Sequence, residues 1–253
     1  MRSLFATCLL FLSGCGALIP KPTDYSDDTS RLLQAVERRA QAVQSVSGEL
    51  KSEVWQGSKR VKAKQLIATD PNGRLRIEVL SPFGSPITTL VSDGTRLMIY
   101  AAQEKRFFIG PSTPENLARL LPIRLSPSEL GGVIRGAMPL IEHTSARVDW
   151  NDKTGRYQLL LANDQRRQVV EFEPKYLRVT SIRTLAGDQL IYQVTFGDYT
   201  GTGDGIIPKR VLFEVPADEL RVDMTVTSHR LNPTLPDAAF HLAPPRGIPV
   251  EAL

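Results

Sequence analysis

The sequence is poor in the residues that build most catalytic and metal centres. Its 253 residues include two cysteines, three histidines and two tryptophans. Cys8 lies inside an N-terminal apolar stretch and Cys15 just after it, so the rest of the chain has no thiol and no internal disulfide. His143, His229 and His241 stand far apart, with no second histidine at metal spacing, and each reads as a structural residue. No apolar run approaches the roughly 18 residues that a membrane-crossing helix needs. An excess of one charge is also lacking: 31 basic against 27 acidic side chains leave a formal +4. That is too little for a nucleic-acid-binding face and at most favours mild attraction to anionic lipid. With 42% hydrophobic residues and 18 each of glycine and proline, the composition is that of an ordinary globular domain with a sizeable core.

Motifs of chemistry are missing too. Gly84-Ser85-Pro86 lacks the flanking glycines of a nucleophile elbow and reads as a turn. Gly201-Thr202-Gly203-Asp204-Gly205 imitates part of a dinucleotide fingerprint, but lies between two predicted strands with no helix after it. Asp149 to Gly155 resembles the start of a calcium loop, yet Leu160 stands where the bidentate glutamate is required, so a hairpin turn is expected. Arg166-Arg167 and Lys59-Arg60 read as solvated strand ends. The expectation is a protein that is not an enzyme.

The first fifteen residues have an organisation of their own. Met1-Arg2 gives a basic start, Leu4 to Leu12 an apolar stretch, and Leu12-Ser13-Gly14-Cys15 closes it. The closing tetrapeptide resembles the bacterial lipobox, which implies cleavage after residue 14 and acylation of Cys15, a palmitate-type anchor. A plain signal peptide with an incidental cysteine is the alternative. Gly16 is not the aspartate associated with inner-membrane retention, and by resemblance to Gram-negative lipoproteins this points to the outer membrane. Residues 15–28 then read as an aperiodic tether with two prolines, and 29–253 as the folded domain.

Thr29 or Ser30 is placed to cap a helix running to about Gln44, with Leu32, Val36, Ala40 and Val43 on one face. From Val46 the period changes to two. Strands are expected near 46–56, 61–69, 74–81, 87–92, 96–101 and 105–109, then near 145–150, 156–163, 167–173, 177–185, 189–198, 208–215 and 220–229. Between the two sets, Thr113-Pro114-Glu115 opens a short helix through Leu121, and Ser126-Pro127-Ser128-Glu129 forms a capping box for a helix that ends at Gly136. The fold class is mostly β: an open antiparallel half-barrel of about 11–13 strands with three helices over its apolar concave face.

Two features invite a functional reading. Leu80-Ser81-Pro82-Phe83-Gly84-Ser85-Pro86 is a connection with a phenylalanine at its tip, which either folds back into the core or stands in water. The other is an apolar sheet face of Leu50, Val54, Ile77, Val79, Leu97, Ile99, Leu159, Leu161, Tyr192, Val194, Phe213, Val222 and Met224. Three helices leave either a cavity over this face or a fully packed core, and periodicity does not distinguish the two.

Residues 74–110, RLRIEVLSPFGSPITTLVSDGTRLMIYAAQEKRFFIG, resemble the third to sixth strands of the LolA/LolB-like lipoprotein carrier family, closest to its LolB-type receptor branch. PENLARLLPIRLSPSELGGVIRGAMP resembles the family's helical insertion, and PDAAFHLAPPRGIPV its ending. The resemblance covers roughly residues 30–247. It implies an apolar cavity for the acyl chains of lipoproteins in transit, received from a periplasmic carrier, and insertion of that cargo into the outer membrane. Pro82, Phe83 and Gly84 match the family's membrane-insertion loop. Neither cofactor nor metal is implied, and a monomer is expected. The C-terminal half matches the receptor branch weakly, and the 200–205 loop has no counterpart. An envelope sensor or scaffold that uses the same fold to contact protein or other lipid partners is the second reading.

Overall fold

The computed structural model describes residues 18–253 except 120, 122, 124, 138 and 201, so the signal-like stretch and Cys15 lie outside the described residues. Helix α1 spans Thr29–Ala42. Six strands follow: β1 (Val46–Gln56), β2 (Lys59–Thr69), β3 (Arg74–Leu80), β4 (Pro86–Asp93), β5 (Arg96–Ala101) and β6 (Arg106–Pro111). Helices α2 (Pro114–Ala118) and α3 (Pro127–Arg135) come next. The second set is β7 (Ser145–Asn151), β8 (Arg156–Ala162), β9 (Arg167–Phe172), β10 (Val179–Ala186), β11 (Gln189–Gly197), β12 (Arg210–Val215) and β13 (Leu220–Leu231). A short β14 (Val250–Ala252) ends the chain.

The period-2 strands are all present, their ends within two residues of expectation. Local chemistry accounts for most boundaries. The expected capping box at α3 forms: the Glu129 N–H donates to Ser126 Oγ at 3.1 Å, and the Ser126 N–H donates to Glu129 Oε2 at 2.7 Å. Gly136 ends that helix in the left-handed conformation, φ 73°. The cap of α1 differs from expectation. Asp28, not Thr29 or Ser30, takes the Ser30 N–H at 2.9 Å, because an ionised carboxylate is the stronger acceptor at a helix N-terminus. Helix α2 stops at Ala118, short of Leu121.

All the strands join one 14-stranded sheet, in the order β14-β6-β5-β4-β3-β2-β1-β13-β12-β11-β10-β9-β8-β7. Two antiparallel meanders are thus fused where β1 pairs with β13, from Val46 opposite Leu231 to Gln56 opposite Leu220. Strand β14 pairs in parallel with β6. Its three residues are too short to carry a periodic signal, and sequence reading misses it. The sheet ends at β14 and β7, so the half-barrel is open.

Two apolar clusters fill the concave face. Leu32, Ala35 and Val36 of α1 pack on the β7–β13 half, and Leu117, Leu130 and Ile134 of α2 and α3 on the β1–β5 half. A third cluster lies on the outer face, where the C-terminal segment folds back and Phe240 covers Val91, Met98 and Phe107. Residues 18–28 are not a free tether. The Ile19 N–H donates to Asp152 O at 2.7 Å, Trp150 Nε1 donates to Ile19 O at 2.9 Å, and Tyr25 stacks on Tyr157 with centroids 5.6 Å apart. The aromatic stack and these two hydrogen bonds to the β7–β8 hairpin outweigh the solvation expected of a Pro- and Asp-rich stretch.

Candidate functional site

The β3–β4 hairpin closes with the pair Leu80–Pro86 and carries Phe83 at its apex. The apex is a tight turn held by three hydrogen bonds. The Ser81 N–H donates to Ser85 O at 2.8 Å, the Gly84 N–H to Ser81 O at 2.9 Å, and the Ser85 N–H to Ser81 Oγ at 3.2 Å. Pro82 fixes one backbone angle, and Gly84 supplies the positive φ, 86°, that the turn requires. The outcome is a stiff tip with Phe83 96% exposed. The other described phenylalanines are buried or half-buried. Holding this ring in water forgoes about 1.5–3 kcal/mol of transfer free energy.

Just below the tip, the cross-strand pair Val79–Thr88 belongs to the concave face. With Ile77, Leu90 and Leu121 it lines an apolar void of about 150 Å³. A second void, about 40 Å³, continues inward between Leu50, Val54, Ile77, Val222 and Met224 on the sheet and Leu130 and Ile134 on α3. Ile77 and Leu121 line both voids. Ser52 and Gln65 are the polar side chains of the inner one. Pockets that take drug-sized ligands run to about 300–1,000 Å³, so both voids are small in this conformation.

Six of the thirteen expected cavity residues therefore line voids: Leu50, Val54, Ile77, Val79, Val222 and Met224. Leu97 and Ile99 pack in the core of the β1–β5 half, and Leu159, Leu161, Tyr192, Val194 and Phe213 in that of the β7–β13 half. Tyr192 and Phe213 stack at 5.6 Å, and burial raises the pKa of the Tyr192 hydroxyl. Sequence reasoning missed Leu121 and Ile123 on the lid side. Their signal is the apolar run after Pro114, which carries no strand or helix period.

The seat of α3 is close but imperfect. A Cβ on Gly131 would stand 2.3 Å from Thr69 Oγ1, so only glycine lets the helix lie this near β2. Thr69 Oγ1 and Arg135 Nε are buried there with no hydrogen-bond partner among the described residues. Each such group costs about 1–3 kcal/mol relative to its solvated state. Burial also lowers the pKa of Arg135, against the attraction of Asp70. Helix α1 is held by Arg39, which donates to Tyr176 O at 2.9 Å and lies 3.6 Å from Asp204 of the glycine-rich loop. That loop thus braces α1.

The three histidines are not brought together. His143 Nδ1 lies 3.1 Å from Ile141 O ahead of β7, His229 is exposed on β13, and His241 is exposed in the C-terminal segment. Asp149 to Gly155 form the β7–β8 hairpin.

No family model and no curated protein match the chain. Solved structures share its fold. A LolA superfamily protein from Nitrosomonas europaea superposes with a TM-score of 0.57 at 12% identity, over 86% of this chain and 99% of that one. A DUF1329 family protein from Desulfovibrio piger gives 0.60 at 15% identity, over 85% and 98%. A protein domain from Vibrio parahaemolyticus, described as an outer-membrane lipoprotein-sorting protein, gives 0.58 at 10% identity, over 84% and 97%. At these identities the likeness is one of fold: the chain is a LolA-like open half-barrel.

Proposed function

We propose that this protein is an outer-membrane lipoprotein, anchored through Cys15 and facing the periplasm, that accepts lipoprotein acyl chains from a periplasmic carrier and passes them to the membrane. The observation that carries the reading is Phe83, 96% exposed on a stiff hairpin whose next cross-strand pair already lines an apolar void. The fold shared with a LolA superfamily protein and a lipoprotein-sorting domain supports it.

Each methylene moved from water to an apolar site is worth about 0.8 kcal/mol, so a triacylated cargo does not cross water bare. In this reading such chains enter at the voids lined by Leu121, and α3, with its unsatisfied seam, is the element that moves to admit them. Phe83 then brings the mouth into the membrane. Hand-over follows differential affinity and needs no bond chemistry.

The test is a titration of the chain from residue 16 onward with a fluorescent triacylated lipopeptide, beside a Phe83→Glu variant in a liposome-transfer assay. Saturable binding in both, with transfer lost in the variant, is the expected result. Absence of binding at micromolar lipopeptide overturns the reading. It would favour the second one, an envelope sensor or scaffold for protein or other lipid partners, in keeping with the small size of the interior voids.

A further inference from the structure

One cleft lies away from the concave side. It is a groove of about 710 Å³ that starts at the root of the Phe83 hairpin and crosses six strands to β12. Register puts it on the outer face. Its side chains Lys51, Glu53, Asp223 and Thr225 alternate along β1 and β13 with the inward-facing Leu50, Val54, Val222 and Met224.

Read across the sheet, one row of this face is cationic. Arg210 stands opposite Thr225, Thr225 opposite Lys51, Lys51 opposite Lys64, and Lys64 opposite Leu80. Leu80 in turn pairs with Pro86, the pair that closes the Phe83 loop. Four cations line the groove against two carboxylates. Asp223 holds Arg210 at 2.6 Å, Glu49 holds Lys64 at 2.5 Å, and Glu53 holds Lys62 at 3.4 Å. Lys51 has no carboxylate partner among the described residues, and its directly opposite neighbour is a like charge. Such an opposition destabilises a sheet, and Glu49 offsets it on the Lys64 side alone. Leu80, Pro82 and Ile87 give the end nearest the tip an apolar floor.

We propose that this groove takes the phosphate of an anionic phospholipid headgroup, with Lys51 and Lys64 as its ligands. The occupant is a lipid of the membrane surface because the cationic row ends on the apolar root of the tip. One lipid layer then meets a charge row and an apolar wedge at one end of the sheet. The proposal rests on the reading that Phe83 enters a membrane, and its test separates the two.

The chain from residue 16 onward, which holds every described element, is sedimented with phosphatidylcholine vesicles and with vesicles that also contain phosphatidylglycerol. Lys51→Gln is expected to lower binding to the phosphatidylglycerol vesicles about fivefold, the effect of one cation near an anionic surface, and to leave the neutral vesicles unaffected. Lys153→Gln, on the distant β7–β8 turn, is expected to change neither. Phe83→Glu is expected to lower binding to both vesicles. If Lys51→Gln and Lys64→Gln leave the phosphatidylglycerol preference intact, the groove proposal fails, whatever Phe83→Glu does. If they abolish it while Phe83→Glu has no effect on neutral vesicles, the groove stands and the tip reading falls. Loss of vesicle binding to free inorganic phosphate at matched ionic strength would overturn the assignment to membrane lipid.

Discussion

At the scale of single residues, exposure separates roles that the sequence writes with the same letter. Phe83 and Phe172 are both phenylalanines at a strand end or turn, yet one is 96% exposed and the other fully buried. Phe83→Ala is expected to change unfolding free energy by less than about 0.5 kcal/mol, because nothing packs on the ring. Phe172→Ala is expected to cost about 3–5 kcal/mol, and denaturant titration of the two variants checks the contrast. Glu171 provides a pH handle. Burial alone would raise its pKa, but hydrogen bonds from Gln158, Asn151 and Ser181 and the charge of Arg156 outweigh burial and hold it below the usual value of 4.5. The folded pKa is the lower one, so its contribution is complete above the unfolded pKa and is lost as pH falls through the folded value. Stability of the native protein should therefore fall on acidification below about pH 4.5 more steeply than that of Glu171→Gln, as followed by thermal melts at stepped pH.

At the scale of elements, α3 is the one poised between fixed and movable. Its capping box and glycine C-cap make it a well-formed helix, while Thr69 Oγ1 and Arg135 Nε leave its seam with β2 unsatisfied. Gly131→Ala puts a methyl group 2.3 Å from Thr69 Oγ1 and lifts the helix. We expect a loss of about 1–3 kcal/mol in stability together with faster uptake of lipopeptide, measured by stopped-flow fluorescence. Unchanged uptake would count against α3 as the moving element. The Phe83 hairpin is the opposite kind of element, short and stiff. Gly84→Ala meets no neighbour within 4 Å, so its cost is backbone strain at positive φ, about 1–2 kcal/mol.

At the scale of the whole molecule, strand direction matters as much as strand identity. The Phe83 turn and the β7–β8 turn lie at opposite strand ends, separated by seven intervening strands. Residues 18–28 are docked on the β7–β8 turn. An anchor at Cys15 would thus leave from the end opposite the tip. Contact of Phe83 with the anchoring membrane then requires that segment to lift, which frees about 36 Å of extended chain over its eleven residues. Trp150→Phe combined with Tyr25→Ala removes the indole donor and the ring stack. The expected result is faster hydrogen exchange at the Ile19 and Tyr25 amides with the β3–β4 hairpin unaltered.

What the sequence by itself determined is local. Alternation of period two placed the strands, Ser126 and Glu129 placed α3, and Pro82-Phe83-Gly84 marked a turn, because each rests on residues a few positions apart; whether the Phe83 ring folds back or stands in water was decided by the tertiary structure. Pairing of β1 with β13, the parallel β14 and the docked 18–28 segment were illegible, since they depend on contacts between distant stretches. The thirteen apolar positions show the same limit. Their facing inward follows from alternation, but whether a side chain borders a void or a neighbour depends on how closely α3 approaches, which Gly131 and Thr69 decide. The row Arg210–Thr225–Lys51–Lys64 exists only in register, and tertiary structure alone brings it together.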